Sequence, residues 1–128
     1  MSRGIVLVME DDPLSAKLTR TLLGLCGLEA EIVATAEEGL ALSKALRPVL
    51  VIMDLRLPGL DGLTAISRLR SDAETSAIPV AVVTAQATPG EQERAVAAGC
   101  QAFLTKPIDT RRFVETVNAL TARGWSGE

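Results

Sequence analysis

The 128-residue chain contains no histidine and no tyrosine. Without histidine there is no Ser-His-Asp triad, no Cys-His nucleophile pair and no imidazole ligand for a metal. Cys26 and Cys100 are the only cysteines. Two are too few for a disulfide framework or a four-cysteine zinc site, and both are expected to be buried apolar thiols. No Gly-x-Gly occurs, which removes the dinucleotide fingerprint, and no Gly-Lys occurs, which removes the P-loop. Aromatic residues make up only 2%, so Val, Leu, Ile and Ala must fill the core. No apolar stretch reaches membrane-spanning length. The first apolar run starts at Ile5 and is expected to leave no room for a signal peptide. A net charge of −3 argues against a phosphate grip on nucleic acid. These absences predict a reduced, cytoplasmic protein that binds neither nucleic acid nor membrane. Carboxylates, hydroxyls, lysines and two thiols remain for chemistry.

What is present reads as one domain. The apolar fraction of 48% supports a real core, and the length suits a single unit over 1–122, with a tail over 123–128 expected to fray and to leave Trp125 exposed. Short apolar runs alternate with amphipathic segments. Ile5 to Met9 is the first run; Leu14, Leu18, Leu22 and Leu25 follow at helical spacing, and Gly27 stands where a left-handed cap would. Leu28 to Val33 alternates as an edge strand does. Thr35 with Glu38 forms a capping-box pattern ahead of Leu40, Ala41, Ala45 and Leu46. Val49 to Met53 and Val80 to Val83 are unbroken apolar runs, as strands buried on both faces should be, and Ala102 to Leu104 is a fifth strand. Helices are predicted over about Leu63–Arg70, from Pro89 to Gly99, and after Asp109 with Phe113, Val114, Val117 and Leu120 inward. Five strand–helix units predict an α/β, doubly wound, five-stranded parallel sheet; in a sheet of order 2-1-3-4-5, strands 1 and 3 are adjacent and strands 4 and 5 follow.

Ligands of such sheets bind beyond the carboxyl ends of the strands. The first strand ends in Glu10, Asp11 and Asp12, the third in Asp54, the fourth in Thr84, and the fifth in Thr105, Lys106 and Pro107. Two carboxylates at about 4 Å repel by roughly 4 kcal/mol at a surface-like dielectric, so the acidic cluster asks for a cation. Hard oxygen ligands that leave waters in place suit Mg²⁺, and a carboxylate is an accepted nucleophile for a phosphoryl group. Asp12, just before Pro13, is expected to cap the first helix instead.

With these residues in place, the chain resembles the receiver domain of bacterial two-component response regulators. The likeness spans about Ile5 to Leu120 and rests on VLVMEDDP, IMDLRLPGLDG, VVTA and FLTKP, in that order. It is most similar to stand-alone regulators of the DivK and chemotaxis types. The resemblance implies the flavodoxin-like receiver fold and a phosphorylation-activated switch, not an enzyme beyond its own phosphorylation and dephosphorylation. It implies Asp54 as phosphoacceptor, and Mg²⁺ (or Mn²⁺) held by Asp11, Asp54 and the Arg56 backbone carbonyl, with Glu10 acting through water. Thr84, the Ala85 amide and Lys106 would bind the phosphoryl oxygens, and Pro107 would follow a cis peptide bond. Thr84 would move toward the phosphate, and Phe103 would turn into the space it leaves; lacking a hydroxyl, Phe103 would act by packing alone. Arg56 and Gln86 match positions that tune dephosphorylation. Val49 stands where the family often has an aspartate. The implied phosphodonor is a sensor histidine kinase or a histidine phosphotransfer protein. A downstream protein would bind the face built by the helix after Pro89, the fifth strand and the last helix, with Arg94 and Arg111 as probes, and phosphorylation-dependent dimerisation is compatible with this. Two rival readings are a receiver cut from a hybrid kinase or larger regulator, and a Mg²⁺-dependent phosphatase. The second lacks its general acid, because Arg56 stands two residues after Asp54 where Asp-x-Asp requires an aspartate.

Overall fold

A computed structural model describes residues 4–85 and 87–122. Gln86, Trp125 and the rest of the expected 123–128 tail lie outside the described residues. The strands are β1 (Ile5–Met9), β2 (Glu29–Val33), β3 (Leu50–Met53), β4 (Val80–Thr84) and β5 (Ala102–Thr105); the helices are α1 (Pro13–Leu25), α2 (Ala36–Leu46), α3 (Gly62–Ser71), α4 (Pro89–Ala98) and α5 (Thr110–Leu120). All neighbouring strands are parallel, in the order β2-β1-β3-β4-β5.

Strand alternation divides the core in two. Leu7, Met9, Val51, Met53, Val80, Val82 and Phe103 face α2, α3 and α4, packing with Ala36, Ile66, Leu69 and Ala95. Val6, Val8, Leu50, Ile52, Ala81, Val83 and Leu104 face α1 and α5, packing with Leu22, Leu23, Phe113 and Val117. Burial on both sides is why β1, β3 and β4 read as continuous apolar runs. Gly39 lets α2 lie against β1, since a Cβ there would collide with the Met9 side chain.

Several helix faces differ from the periodicity. Only Leu22 of the Leu14, Leu18, Leu22, Leu25 series is buried; Leu14 is 79% exposed and Leu25 73%. The sheet instead takes the neighbouring stripe of Ala16, Thr19, Leu22 and Leu23. On α2, Ala36, Gly39 and Ser43 are buried, while Ala41 and Ala45 face water. Val49 precedes β3 instead of opening it. At the first turn of α2, Thr35 accepts from the Glu38 amide and donates to the Glu38 carboxylate, so the reciprocal bond to the backbone is missing. The full capping box is at α4, between Thr88 and Glu91. The α3 and α5 faces follow the periodicity, and Asp12 and Asp109 cap α1 and α5 as expected.

Candidate functional site

The parallel register brings the strand ends together. The Asp54 amide donates to the Met9 carbonyl at 3.1 Å, which sets the end of β3 beside that of β1 and Asp54 beside Glu10. The Lys106 amide donates to the Thr84 carbonyl at 2.9 Å, which fixes the β5 end beside that of β4.

Four side chains converge at this rim. Lys106 Nζ donates to Asp54 Oδ2 at 2.8 Å and to Glu10 Oε1 at 2.7 Å. Thr84 Oγ1 donates to Asp54 Oδ1 at 2.8 Å, and the Arg56 amide donates to the same oxygen at 2.8 Å. Glu10 Oε2 accepts from the Asp12 amide. Glu10 and Asp54 are each only 6% exposed and Thr84 is fully buried, so these bonds form where water competes little. Burial alone would push the Asp54 carboxyl up; the bonds from Lys106, Arg56 and Thr84 outweigh it and hold Asp54 below the usual carboxylate range. Burial would lower the Lys106 ammonium, yet its bonds to Asp54 and Glu10 keep it above the usual lysine value. At neutral pH the site therefore holds an ionised Asp54 against a charged Lys106. A nucleophilic oxygen is thus held beside one cation and a second carboxylate, so attack on an anionic electrophile calls for further positive charge at the rim.

A receiver domain model matches residues 6–118 of the chain. The chain belongs to the response regulator receiver domain family. It is 40% identical over 114 residues to the polar-differentiation response regulator DivK of Brucella anthropi, spanning 89% of this chain and 93% of that one. Among solved structures it is similar to the receiver domain of a sensor histidine kinase from Pseudomonas aeruginosa PAO1, which has a magnesium ion coordinated in its active-site cleft; the TM-score is 0.85 at 25% identity, covering 94% of this chain and 98% of that one. The receiver domain of a Syntrophus aciditrophicus histidine kinase is similar too, with a TM-score of 0.85 at 28% identity, over 93% of this chain and 90% of that one.

Of the residues that the sequence assigned to this receiver's site, Asp54, Glu10, Thr84 and Lys106 are joined by hydrogen bonds, Thr84 to Asp54 and Lys106 to both Asp54 and Glu10, and Ala85 follows Thr84 directly. Asp11 stands beside them at the end of β1 but is exposed. The Lys106–Pro107 bond is cis. Thr84 already turns its hydroxyl to Asp54, and Phe103, 9% exposed, is already packed inside. Cys26 and Cys100 are buried, as expected of apolar thiols, and burial raises the Cys100 thiol above its usual value.

The donor set fits a hard cation in kind, since Asp11, Asp54 and Glu10 offer only oxygen. It is not drawn together for one. Among the described residues, no group of three or more His, Cys, Asp or Glu side chains stands close enough to hold a metal ion. Lys106 supplies the positive charge between Glu10 and Asp54 instead.

Two features escaped the sequence reading. Arg56 reaches across the rim to Glu91 of α4, an ion pair spanning 35 residues with no local signal apart from the Thr88-x-x-Glu91 cap. Exposed Leu14 and Leu18 of α1 line a cleft of about 220 Å³ with Ser15, Lys106, Pro107 and Ile108, continuous with the site through Lys106.

Proposed function

We propose that this chain is a phosphorylation-activated, single-domain response regulator, with the receiver over 1–122 and Asp54 as its phosphoacceptor. The observation that carries the reading is the buried contact of Asp54 with Lys106 and Thr84 at the carboxyl end of the sheet. The ionised Asp54 carboxylate attacks phosphorus; the P–N bond to the donor histidine breaks, and its electron pair stays on the imidazole nitrogen. Lys106 follows the new charge from the carboxylate to a phosphoryl oxygen. The Thr84 hydroxyl and the Ala85 amide donate to the other oxygens, and Phe103 turns into the space that Thr84 leaves as it moves toward the phosphoryl group. Asp11, Asp54 and the Arg56 carbonyl would hold Mg²⁺, with Glu10 acting through water. The ion supplies charge neutralisation for the transferring group. Such a protein catalyses only its own phosphorylation and dephosphorylation.

The phosphodonor is a sensor histidine kinase or a histidine phosphotransfer protein. The exposed Leu14 and Leu18 beside Lys106 support an apolar contact for it next to the acceptor. Output passes to a downstream protein through the face of α4, β5 and α5, where Val96 is 57% exposed, or through a phosphorylation-dependent dimer. Among the described residues no helix is long and apolar enough to cross a membrane; we place the protein in the cytoplasm, where its phosphodonor would act. The hybrid-kinase reading keeps a specific support: two similar structures are receivers of histidine kinases.

The test is intact-mass spectrometry after incubation with acetyl phosphate and Mg²⁺. One added phosphoryl group, lost in Asp54→Ala and with a chelator, is the expected result. An adduct that persists in Asp54→Ala would contradict the assignment.

A further inference from the structure

Arg56 and Glu91 meet across the mouth of the site. The guanidinium grips the carboxylate with both arms, Nη1 to Oε2 at 2.6 Å and Nη2 to Oε1 at 2.9 Å. The pair ties the loop after β3 to the first turn of α4. Each end is anchored near something that matters. The Arg56 amide donates to Asp54 Oδ1. Glu91 also closes the α4 capping box: its Oε1 accepts from the Thr88 amide at 3.3 Å, and its own amide donates to Thr88 Oγ1 at 3.1 Å. The Arg56 side chain is 49% exposed and that of Glu91 13%. An ion pair half in water is held loosely and can be exchanged.

A phosphoryl group on Asp54 would bring about −1.5 to −2 charges to within two residues of this guanidinium. Arginine's planar fork fits phosphate oxygens as well as it fits a carboxylate. Two anions would then compete for one cation. The cap does not depend on Arg56, since the Thr88–Glu91 bonds stand without it, so losing the pair frees the first turn of α4 without unravelling it. That turn walls the apolar groove of Pro89, Gln92 and Val96 on α4, of about 570 Å³.

We propose that Glu91 is a positioning residue that parks Arg56 on α4, and that phosphorylation moves Arg56 from Glu91 to the phosphoryl group, releasing the first turn of α4. This rests on Asp54 being the acceptor. The coupling is reciprocal: whatever holds Glu91 away from Arg56 must tighten the site for the phosphoryl group by the same factor.

The experiment is calorimetric titration with beryllofluoride in Mg²⁺, comparing wild type, Glu91→Gln, Arg56→Gln and the double variant. Glutamine at position 91 keeps the cap and removes the charge. The expected result is an affinity about fivefold tighter in Glu91→Gln, the low end of typical coupling. Arg56→Gln should weaken binding, and Glu91→Gln should add nothing in that background. Thr88→Ala, which loosens the helix end but keeps the pair, should leave affinity unchanged. A silent Glu91→Gln, an equal effect with and without Arg56, or a Thr88→Ala that reproduces it would overturn the latch. A wild type that binds beryllofluoride no better than Asp54→Asn would overturn the acceptor assignment itself, and the latch with it.

Discussion

Two lysines in this protein make ion pairs of nearly equal length, Lys106 to Asp54 at 2.8 Å and Lys44 to Asp72 at 2.6 Å. The second lies in a cleft of about 620 Å³ between α2 and α3, roomier than the cleft of about 220 Å³ beside Lys106. Yet the two regions differ in burial and in how many side chains converge. Lys44 is 53% exposed and has one carboxylate, whereas Lys106 is 17% exposed and holds two. Each aspartate accepts from the amide two residues on, but Asp54 also accepts from the buried Thr84 hydroxyl, while around Lys44 and Asp72 water can replace what the pair provides. Cleft size and pair length thus do not single out the strand-end site; buried, convergent polar groups do.

Breaking each pair sharpens the contrast. Lys106→Met leaves Glu10 and Asp54 buried without their cation, and is expected to destabilise the fold by about 3 kcal/mol at neutral pH in urea unfolding. Millimolar Mg²⁺ should restore part of that loss, because it replaces the missing charge. Lys44→Met should leave the urea midpoint unmoved, with or without Mg²⁺. Equal losses in the two variants would erase the distinction between the regions.

Acid should test the buried site directly. The folded pKa of Asp54 is depressed, so its contribution is present above the unfolded value, about 3.9, and is lost as pH falls through the folded one. Lys106 is shifted upward, so its share is intact below about 10.4 and fades only above it. Wild type should therefore exceed Asp54→Asn in stability at neutral pH, and the gap should narrow from about pH 5 downward. A gap constant down to acid pH would mean that Asp54 gains nothing from its ionised form.

Smaller effects follow around the same carboxylate. Thr84→Val keeps the shape but leaves Asp54 Oδ1 with the Arg56 amide alone, a loss of about 1 kcal/mol measurable in urea. The smallest stability effect is expected for Leu14→Ser with Leu18→Ser, within about 0.5 kcal/mol, because both side chains face solvent. The same double variant should slow phosphotransfer from a phosphohistidine protein and leave labelling by acetyl phosphate unchanged. Equal slowing with both donors would remove α1 from donor contact.

How much of this was legible in the sequence follows from the same contrast. Strands β1, β3 and β4 were readable because strands buried on both faces write themselves as unbroken apolar runs, here followed or closed by Glu10, Asp54 and Thr84, and β2 because alternation marks an edge. The α1 face was not, because two overlapping apolar stripes run along that helix. Periodicity cannot tell which stripe meets the sheet; Ala16, Thr19 and Leu23 do, and Leu14 and Leu18 are left for solvent. The acidic cluster correctly signalled a demand for positive charge, but not that Lys106 would meet it from 52 residues away. Glu91 carried only the signature of a helix cap, since an ion pair between distant segments leaves no spacing to read.

Mapping the acceptor tests the phosphoacceptor assignment most directly. The acetyl-phosphate-treated protein would be reduced with borohydride, which converts an aspartyl phosphate to homoserine, and then digested and sequenced by mass spectrometry. Homoserine at position 54, absent without Mg²⁺, is the predicted result. Homoserine at position 11 or 12 with Asp54 intact would contradict it.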